Sequence, residues 1–279
     1  MEKINYSVLM SVYYKENPEW LDLAINSMLN QTILTNDFVI IKDGPLTNEL
    51  DDVINKYLLK YPNLFNIVAL EKNVGLGAAL KIGVEKCKNE WIARMDSDDY
   101  SIPTRCEKQL KRIIENPNLD IVGSCIAEFE DNIDNIRAYR ILPENNEEIL
   151  NFSKKRNPFG HPSVMLKKSK VIEAGNYESW HLCEDYELWV RMIENGAKCY
   201  NFKENLVYMR VNDNFYKRRG GIKYLKSILK LKTHLYRKRF FSFKQYFISS
   251  AAHIFICLLP NKIRVILYKK ILRKSVKSW

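Results

Sequence analysis

The chain has little that would place it across a membrane, outside the cell or around a structural zinc. No stretch of its 279 residues reaches the roughly 20 apolar residues that a membrane-spanning helix needs. Its start, MEKINYSVLM, has no basic segment followed by a long apolar run, so no secretory signal is expected. Cys87, Cys106, Cys125, Cys183, Cys199 and Cys257 are scattered, and none forms a C-x-x-C pair. That spacing speaks against zinc and predicts reduced, mostly buried thiols in a cytoplasmic protein. There is no long-period repeat and no low-complexity linker. Acid is missing from one end altogether. From Asn214 to Trp279 there are 18 Lys or Arg and no Asp or Glu. Residues 1–213 therefore hold 26 basic and 33 acidic groups, a net charge of −7, although the whole chain carries +11. A basic tail on an acidic body suits an anionic surface. The acidic body repels a nucleic-acid backbone, so the expected partner is a lipid headgroup layer and not nucleic acid.

Hydrophobic residues make up 46% of the chain and charged residues 28%, which fits a globular protein. The spacing of apolar residues predicts strands over Tyr6–Tyr13, Phe38–Ile41, Phe65–Leu70, Trp91–Met95 and Ile121–Phe129. It predicts helices over Asn17–Gln31, Glu49–Tyr61, Gly77–Lys88 and Pro103–Glu115 between them. Strand and helix in regular alternation imply an α/β fold with a mostly parallel sheet flanked by helices. In such sheets ligands bind outside the carboxyl ends of the strands, which points to a nucleotide-type ligand. The pattern then becomes mixed, with a loop entering a strand over Pro158–Leu166, a helix over Glu184–Glu194 and a strand over Leu206–Arg210. The organisation expected is a ligand-binding α/β domain over 1–215, in halves of about 1–100 and 101–215, followed by a basic helical extension over 216–279.

The polar residues that end the strands are the candidate site. Asp96-Ser97-Asp98-Asp99 follows an apolar strand, and its carboxylates suit Mg²⁺ or Mn²⁺; an acidic turn that caps the next helix is the other reading. Asp43 precedes Gly44-Pro45 and is either a turn residue or an acceptor for a base or ribose. Tyr13 offers a ring to stack on a base, or simply packs. Glu184 and Asp185 open a helix whose dipole favours them there; one of them also suits the role of general base. His161 is a lone histidine that either faces the site or is structural. Arg210, Arg218 and Arg219 either neutralise a diphosphate or are solvated.

Taken together, S-V-x-M-S-V-Y, Q-T, I-K-D-G, N-x-G-L-x-x-A-L-x-x-G, A-R-M-D-S-D-D, H-P-S-V-M and E-D-Y-E-L-W-x-R-M are far more specific than any one alone. In this order they resemble the family-two inverting glycosyltransferases of GT-A (Rossmann-like) fold, and more narrowly the bacterial members that build capsular or exopolysaccharide repeat units. The resemblance spans roughly residues 5–220. It implies that Ser11, Tyr13 and Glu16 contact the nucleoside, that Asp43 hydrogen-bonds the base, and that Asn73 and Gly75 open the loop bordering the donor. Arg94 precedes the acidic motif. Asp96 falls where the family contacts ribose or sugar, Asp98 where it coordinates the metal, with Asp99 assisting. Asp185, beside Glu184, falls at the catalytic base, and Trp189 falls at an acceptor-side aromatic position or is simply core. The implied donor is a UDP-sugar, the implied ion Mn²⁺ or Mg²⁺, and the implied acceptor a glycan or a polyprenyl-diphosphate-linked oligosaccharide. Processive members carry a Q-x-x-R-W motif and transmembrane helices. Both are missing here, which favours addition of a single sugar. Two other readings compete: a metal-dependent nucleotidyltransferase, and nucleic-acid binding by the basic tail. The first wants a Gly-rich basic loop where Tyr13-Tyr14-Lys15-Glu16 stands.

The tail pairs apolar and basic residues over Gly221–Phe240, continues with an apolar run over Tyr246–Leu259 that Pro260 ends, and closes with a basic segment, Arg264–Lys277. The run is too short to span a bilayer but suits its interface. The protein is therefore expected to sit peripherally on the inner face of the cell membrane.

Overall fold

The computed structural model describes residues 4–212, 218–261, 263, 264 and 267. β1 (Tyr6–Val12) and β2 (Asp37–Lys42) are runs of buried, mostly apolar residues, as strands covered on both faces require. α1 (Pro18–Leu29) lies between them, with Pro18 in its first turn and Asn17 accepting the N–H groups of Glu19 and Trp20. α2 (Asn48–Lys60) is capped by Thr47 and leads to β3 (Phe65–Ala69). α3 (Leu76–Lys86) leads to β4 (Trp91–Met95). Then come β5 (Tyr100–Ser101), α4 (Arg105–Glu115), β6 (Ile121–Phe129), β7 (Ile136–Arg140) and α5 (Asn146–Ser153). A 3₁₀ turn at His161–Ser163 precedes β8 (Met165–Lys167), α6 (Lys168–Glu173), α7 (Glu184–Glu194) and β9 (Cys199–Arg210).

Among the described residues the strands form one sheet in the order β3-β2-β1-β4-β8-β6-β9-β5, with β7 beside β6. β3, β2, β1 and β4 are parallel, as are β6 and β9. β8 runs antiparallel between β4 and β6, and β5 and β7 are antiparallel to their partners. The expectation of a mostly parallel sheet therefore holds for the first half, and the sheet as a whole is mixed. The physical reason is loop length. The segment from β6 to β7 is a short turn, which permits only antiparallel pairing, whereas a parallel neighbour needs a long crossover.

The chain runs outward from β1 through β2 to β3 and returns on the other side of β1 as β4. This reversal opens a crevice at the carboxyl ends of β1 and β4. Met10 pairs with Met95 and Val12 with Lys42, so Tyr13, Asp43 and Asp96 leave three neighbouring strands at one edge of the sheet. One face is covered by α1, α2 and α4 through residues such as Leu21, Ile54 and Leu110. The other is covered by α3, α6 and α7 through Leu80, Val171, Leu188 and Trp189. All six cysteines are buried free thiols.

The tail forms α8 (Gly221–Arg237) and α9 (Phe243–Leu258). Tyr224, Ile228, Leu231 and Leu235 of α8 pack against Cys183, Tyr186 and Val190 at α7, so α8 is part of the folded body. The expected boundary at 215/216 and most of the segment Arg264–Lys277 lie outside the described residues.

Candidate active site

The acidic turn after β4 gathers carboxylates. Ligand oxygens of Asp96, Asp98 and Asp99 lie within 4.8 Å of one another. Burial, with the neighbouring Asp96 and Glu16 carboxylates, pushes the Asp98 carboxyl up to about 8. Asp99 and Glu16 are also raised, chiefly by burial. Glu16 accepts the Ser97 hydroxyl at 2.5 Å, which ties the loop after β1 to this turn. Asp99 Oδ1 accepts the Arg210 N–H at 2.8 Å, while its buried Oδ2 has no hydrogen-bond partner. Three hard oxygen donors that repel one another, one with an orphaned buried oxygen, fit a small divalent cation such as Mg²⁺ or Mn²⁺.

The floor beneath the turn is a buried polar brace. Arg105, fully buried, donates from Nη2 to the Arg94 carbonyl at 2.8 Å and from Nε to Gln109 at 3.1 Å. Gln109 Nε2 donates in turn to the carbonyls of Val122 at 2.7 Å and Ser163 at 2.8 Å. α4 thus pins β4, β6 and the 3₁₀ turn together. Arg94 is also buried and ion-pairs Asp96 through Nη2. Its Nε and Nη1 have no hydrogen-bond partner.

At the end of β2, Asp43 organises a loop. Its carboxylate accepts the Val74 N–H at 2.7 Å, the Asn73 side-chain amide at 3.0 Å and the Gly75 N–H at 3.1 Å. Gly44, at φ +89°, makes the turn possible; a Cβ there would meet Asn73 N at 2.6 Å. Asp43 therefore holds Asn73 and Gly75 in place whatever else it binds. Ser11 is partly buried near the end of β1, and Tyr13 is 37% exposed beyond it. The phenol of Tyr13 feels both Glu16 and Arg218.

Glu184 and Asp185 open α7. Asp185 accepts its neighbour's N–H, from Tyr186, at 2.7 Å and the Asn157 side-chain amide at 2.6 Å. Burial raises its carboxyl, and the two hydrogen bonds work against that rise. Glu184 is more buried, accepts the Cys183 N–H at 3.0 Å and is pushed up to about 7 by burial and by Asp185. The donor loop and this helix meet at Gly77, where a Cβ would lie 2.5 Å from the Glu178 carbonyl and 3.2 Å from Glu184 Cβ. Charge links the two ends of the crevice. Buried Tyr177 feels Arg94, Asp185, Glu184 and Asp96 together.

At three positions the structure decides between the readings left open or gives another. Trp189 is fully buried, edge-on to Phe159, His161 and Tyr177, so it belongs to the core and not to an acceptor face. His161 shares a hydrogen bond with the Tyr177 hydroxyl at 3.0 Å; burial and Arg94 hold it well below its usual range, as a neutral floor residue. Arg210 does not reach for a diphosphate. Its guanidinium donates to the carbonyls of Asp98 at 3.0 Å, Glu130 at 2.9 Å and Asp131 at 3.2 Å, between the rings of Trp20 and Phe129. Sequence reasoning passed over Asn157, Tyr177 and the Arg105–Gln109 brace, which carry no periodic or motif signal of their own.

Residues 7–174 match the model of Glycosyl transferase family 2. The chain belongs to that family. It is a glycosyltransferase, and its relatives extend over nearly its full length. A UDP-Gal:alpha-D-GlcNAc-diphosphoundecaprenol beta-1,3-galactosyltransferase of Escherichia coli is 38% identical over 269 residues, 96% of this chain and 97% of that protein. The amylovoran biosynthesis glycosyltransferase AmsE of Erwinia amylovora is 35% identical over 269 residues, 95% of this chain and 98% of that protein. Among solved structures, the mannosyltransferase PcManGT of Pyrobaculum calidifontis in complex with GDP-Man and Mn²⁺ superposes with a TM-score of 0.62 at 10% identity, covering 84% of this chain and 64% of that one. S. aureus TarS 1–349 with UDP-GlcNAc gives 0.61 at 14% identity, covering 83% and 66%. The chain spans just under two thirds of both structures, and at these identities they establish a shared GT-A-like fold alone.

Proposed function

We propose that this family-2 glycosyltransferase transfers one hexosyl or N-acetylhexosaminyl group, with inversion, from a UDP-sugar to a hydroxyl of a lipid-linked oligosaccharide in surface polysaccharide synthesis. One observation carries the reading: the carboxylates of Asp96, Asp98 and Asp99 gather within 4.8 Å of one another after β4, and the loop that Asp43 holds runs into α3, whose Gly77 lies against Glu184 beside Asp185. The similarity to a galactosyltransferase named for a diphosphoundecaprenol acceptor supports the donor and acceptor classes.

Residues of the first half bind the donor. Tyr13 and Ser11 border the nucleoside, while Asp43 keeps the Asn73–Gly75 loop closed around it. Asp98, with Asp96 and Asp99, would hold Mn²⁺ or Mg²⁺, which would supply positive charge against the developing charge of the departing UDP. Arg218 adds to this, since its charge bears on Asp98 and on Tyr13 while Arg210 is occupied with backbone carbonyls. Residues of the second half serve the acceptor. Asp185, held by Asn157, takes the proton of the acceptor hydroxyl as its oxygen attacks the anomeric carbon from the face opposite UDP. Glu184 is pushed up to about 7 by burial and by Asp185, so near neutral pH the pair does not carry two full negative charges. The basic tail keeps the enzyme at the anionic inner face of the membrane, where such an acceptor resides.

Asp185→Asn tests the chemistry. Turnover falls by about 10²–10⁴-fold, the usual contribution of a positioned base, with UDP binding nearly unchanged. An unaltered rate removes Asp185 from the role. A nucleotidyltransferase is disfavoured by the loop after β1, where Glu16 is tied to Ser97 and no Gly-rich phosphate cradle stands.

A further inference from the structure

Helix α9 is built inside out. Ser249 and His253 face inward and meet Lys232 of α8, whose Nζ donates to the Ser249 carbonyl and lies 2.9 Å from His253 Nδ1. Lys232 itself is 2% exposed. Ser250 and Cys257, one and four residues further along this inner side, are the buried positions of the helix. The large apolar residues face away from the protein. Phe243, Phe247, Ile254 and Leu258 recur at helical spacing and are 68%, 64%, 39% and 64% exposed. Ile248 and Phe255 widen the stripe, at 56% and 62% exposed. Lys244 is the sole charged residue within the helix.

Six large hydrophobic side chains on one outward face need an apolar environment. A second copy of the chain is a poor occupant, because each tail carries 18 Lys or Arg and no acid, and two such faces repel. The same charge favours an anionic bilayer. A helix of 16 residues is about 24 Å long, too short to cross the hydrocarbon core but suited to lie flat in the headgroup boundary. Lys238 and Arg239 follow α8 immediately before this helix, where they meet lipid phosphates as the phenylalanines enter the acyl layer. We propose that the outward face of α9, centred on Phe247, is the surface that inserts into an anionic membrane, with α8 as the strut that links it to α7. Because α8 packs on Cys183 and Tyr186, which flank the Glu184–Asp185 pair, the same contact sets how the acceptor side of the crevice stands relative to the bilayer.

This rests on the reading that the tail meets the membrane, and it is tested apart from the catalytic reading. Every native cysteine is buried, so Phe247→Cys on the full chain takes a polarity-sensitive probe selectively. With phosphatidylglycerol/phosphatidylethanolamine vesicles the probe shifts to the blue and becomes shielded from iodide. With phosphatidylcholine vesicles it does neither. Phe247→Ser/Phe255→Ser lowers affinity for the anionic vesicles by roughly 100-fold, as expected for two phenyl groups removed from an acyl layer. The double variant binds UDP with Mn²⁺ as the unaltered chain does, so its weaker vesicle binding is not a loss of fold. Equal vesicle binding by the double variant overturns the proposal. So does a probe already shielded without vesicles, which would show that the chain covers this face itself. Shielding that grows with protein concentration would make a second copy the occupant.

Discussion

The side-chain amide of Asn157 donates to Asp185 Oδ2 at 2.6 Å, on the far side of the carboxylate from the Tyr186 N–H that meets Oδ1. The two donors fix the orientation of the group and favour its charged form, against a burial that raises its pKa. Asn157→Ala removes one of them. The acid limb of the kcat/KM profile then moves to higher pH, because the carboxylate holds its proton longer, and kcat falls by about 10-fold even above that limb. UDP affinity stays level. A lower rate with an unmoved limb would assign Asn157 to packing alone.

Asp98 predicts how stability depends on pH without metal. Burial and its acidic neighbours raise it from 3.8 to about 8, so the folded protein retains a proton that the unfolded chain has released. Stability of the metal-free protein is therefore greatest below about pH 4 as far as this group is concerned, and it declines as pH rises toward 8. Asp99 and Glu16 shift the same way. Mn²⁺ displaces the proton, so the melting temperature gained with Mn²⁺ grows across this window. Thermal melts at pH 5, 6.5 and 8, with and without Mn²⁺, check it; a gain independent of pH contradicts it.

Arg210 and Arg218 separate structure from donor binding. Arg210→Ala leaves three backbone carbonyls without a donor and costs at least about 2 kcal/mol, read as a lower melting temperature. Arg218 is exposed, and Arg218→Ala leaves the melting temperature in place while lowering kcat/KM by roughly 10- to 100-fold. The reverse pattern would return the diphosphate to Arg210.

Gly77→Ala tests the seam between the donor loop and the base. The added methyl lies 2.5 Å from the Glu178 carbonyl and 3.2 Å from Glu184 Cβ, so α3 and the segment leading into α7 must part. The expected cost is about 1–3 kcal/mol, with both UDP affinity and turnover reduced. Full stability with full activity would show that the seam has slack.

What the sequence made legible follows from where its signals are local. The strands over 121–129 and the helix over 184–194 have the bounds their apolar spacing implies, and the strand-end acids mark the crevice because topology requires a site there. β5 has two residues, too few for a period to show, and β7 (IRAYR) interleaves two arginines and a tyrosine with its apolar residues, so it makes no apolar run; β8 is legible only as the strand that ends the segment Pro158–Leu166. The directions that Arg210 and Trp189 take are not legible in the sequence, for a common reason. A guanidinium or an indole at a motif position takes its direction from tertiary neighbours, here Trp20 and Phe129 for the first and Phe159 and Tyr177 for the second. In α9 the apolar run was visible, but not that its phenylalanines point outward.

The account stands or falls on divalent-metal-dependent UDP binding at Asp98, measured by calorimetry on the unaltered chain and on Asp98→Asn. UDP binds the unaltered chain tightly only when Mn²⁺ is present, and Asp98→Asn loses that dependence while its fold persists by circular dichroism. Equal UDP affinity with Mn²⁺ in both proteins would contradict it.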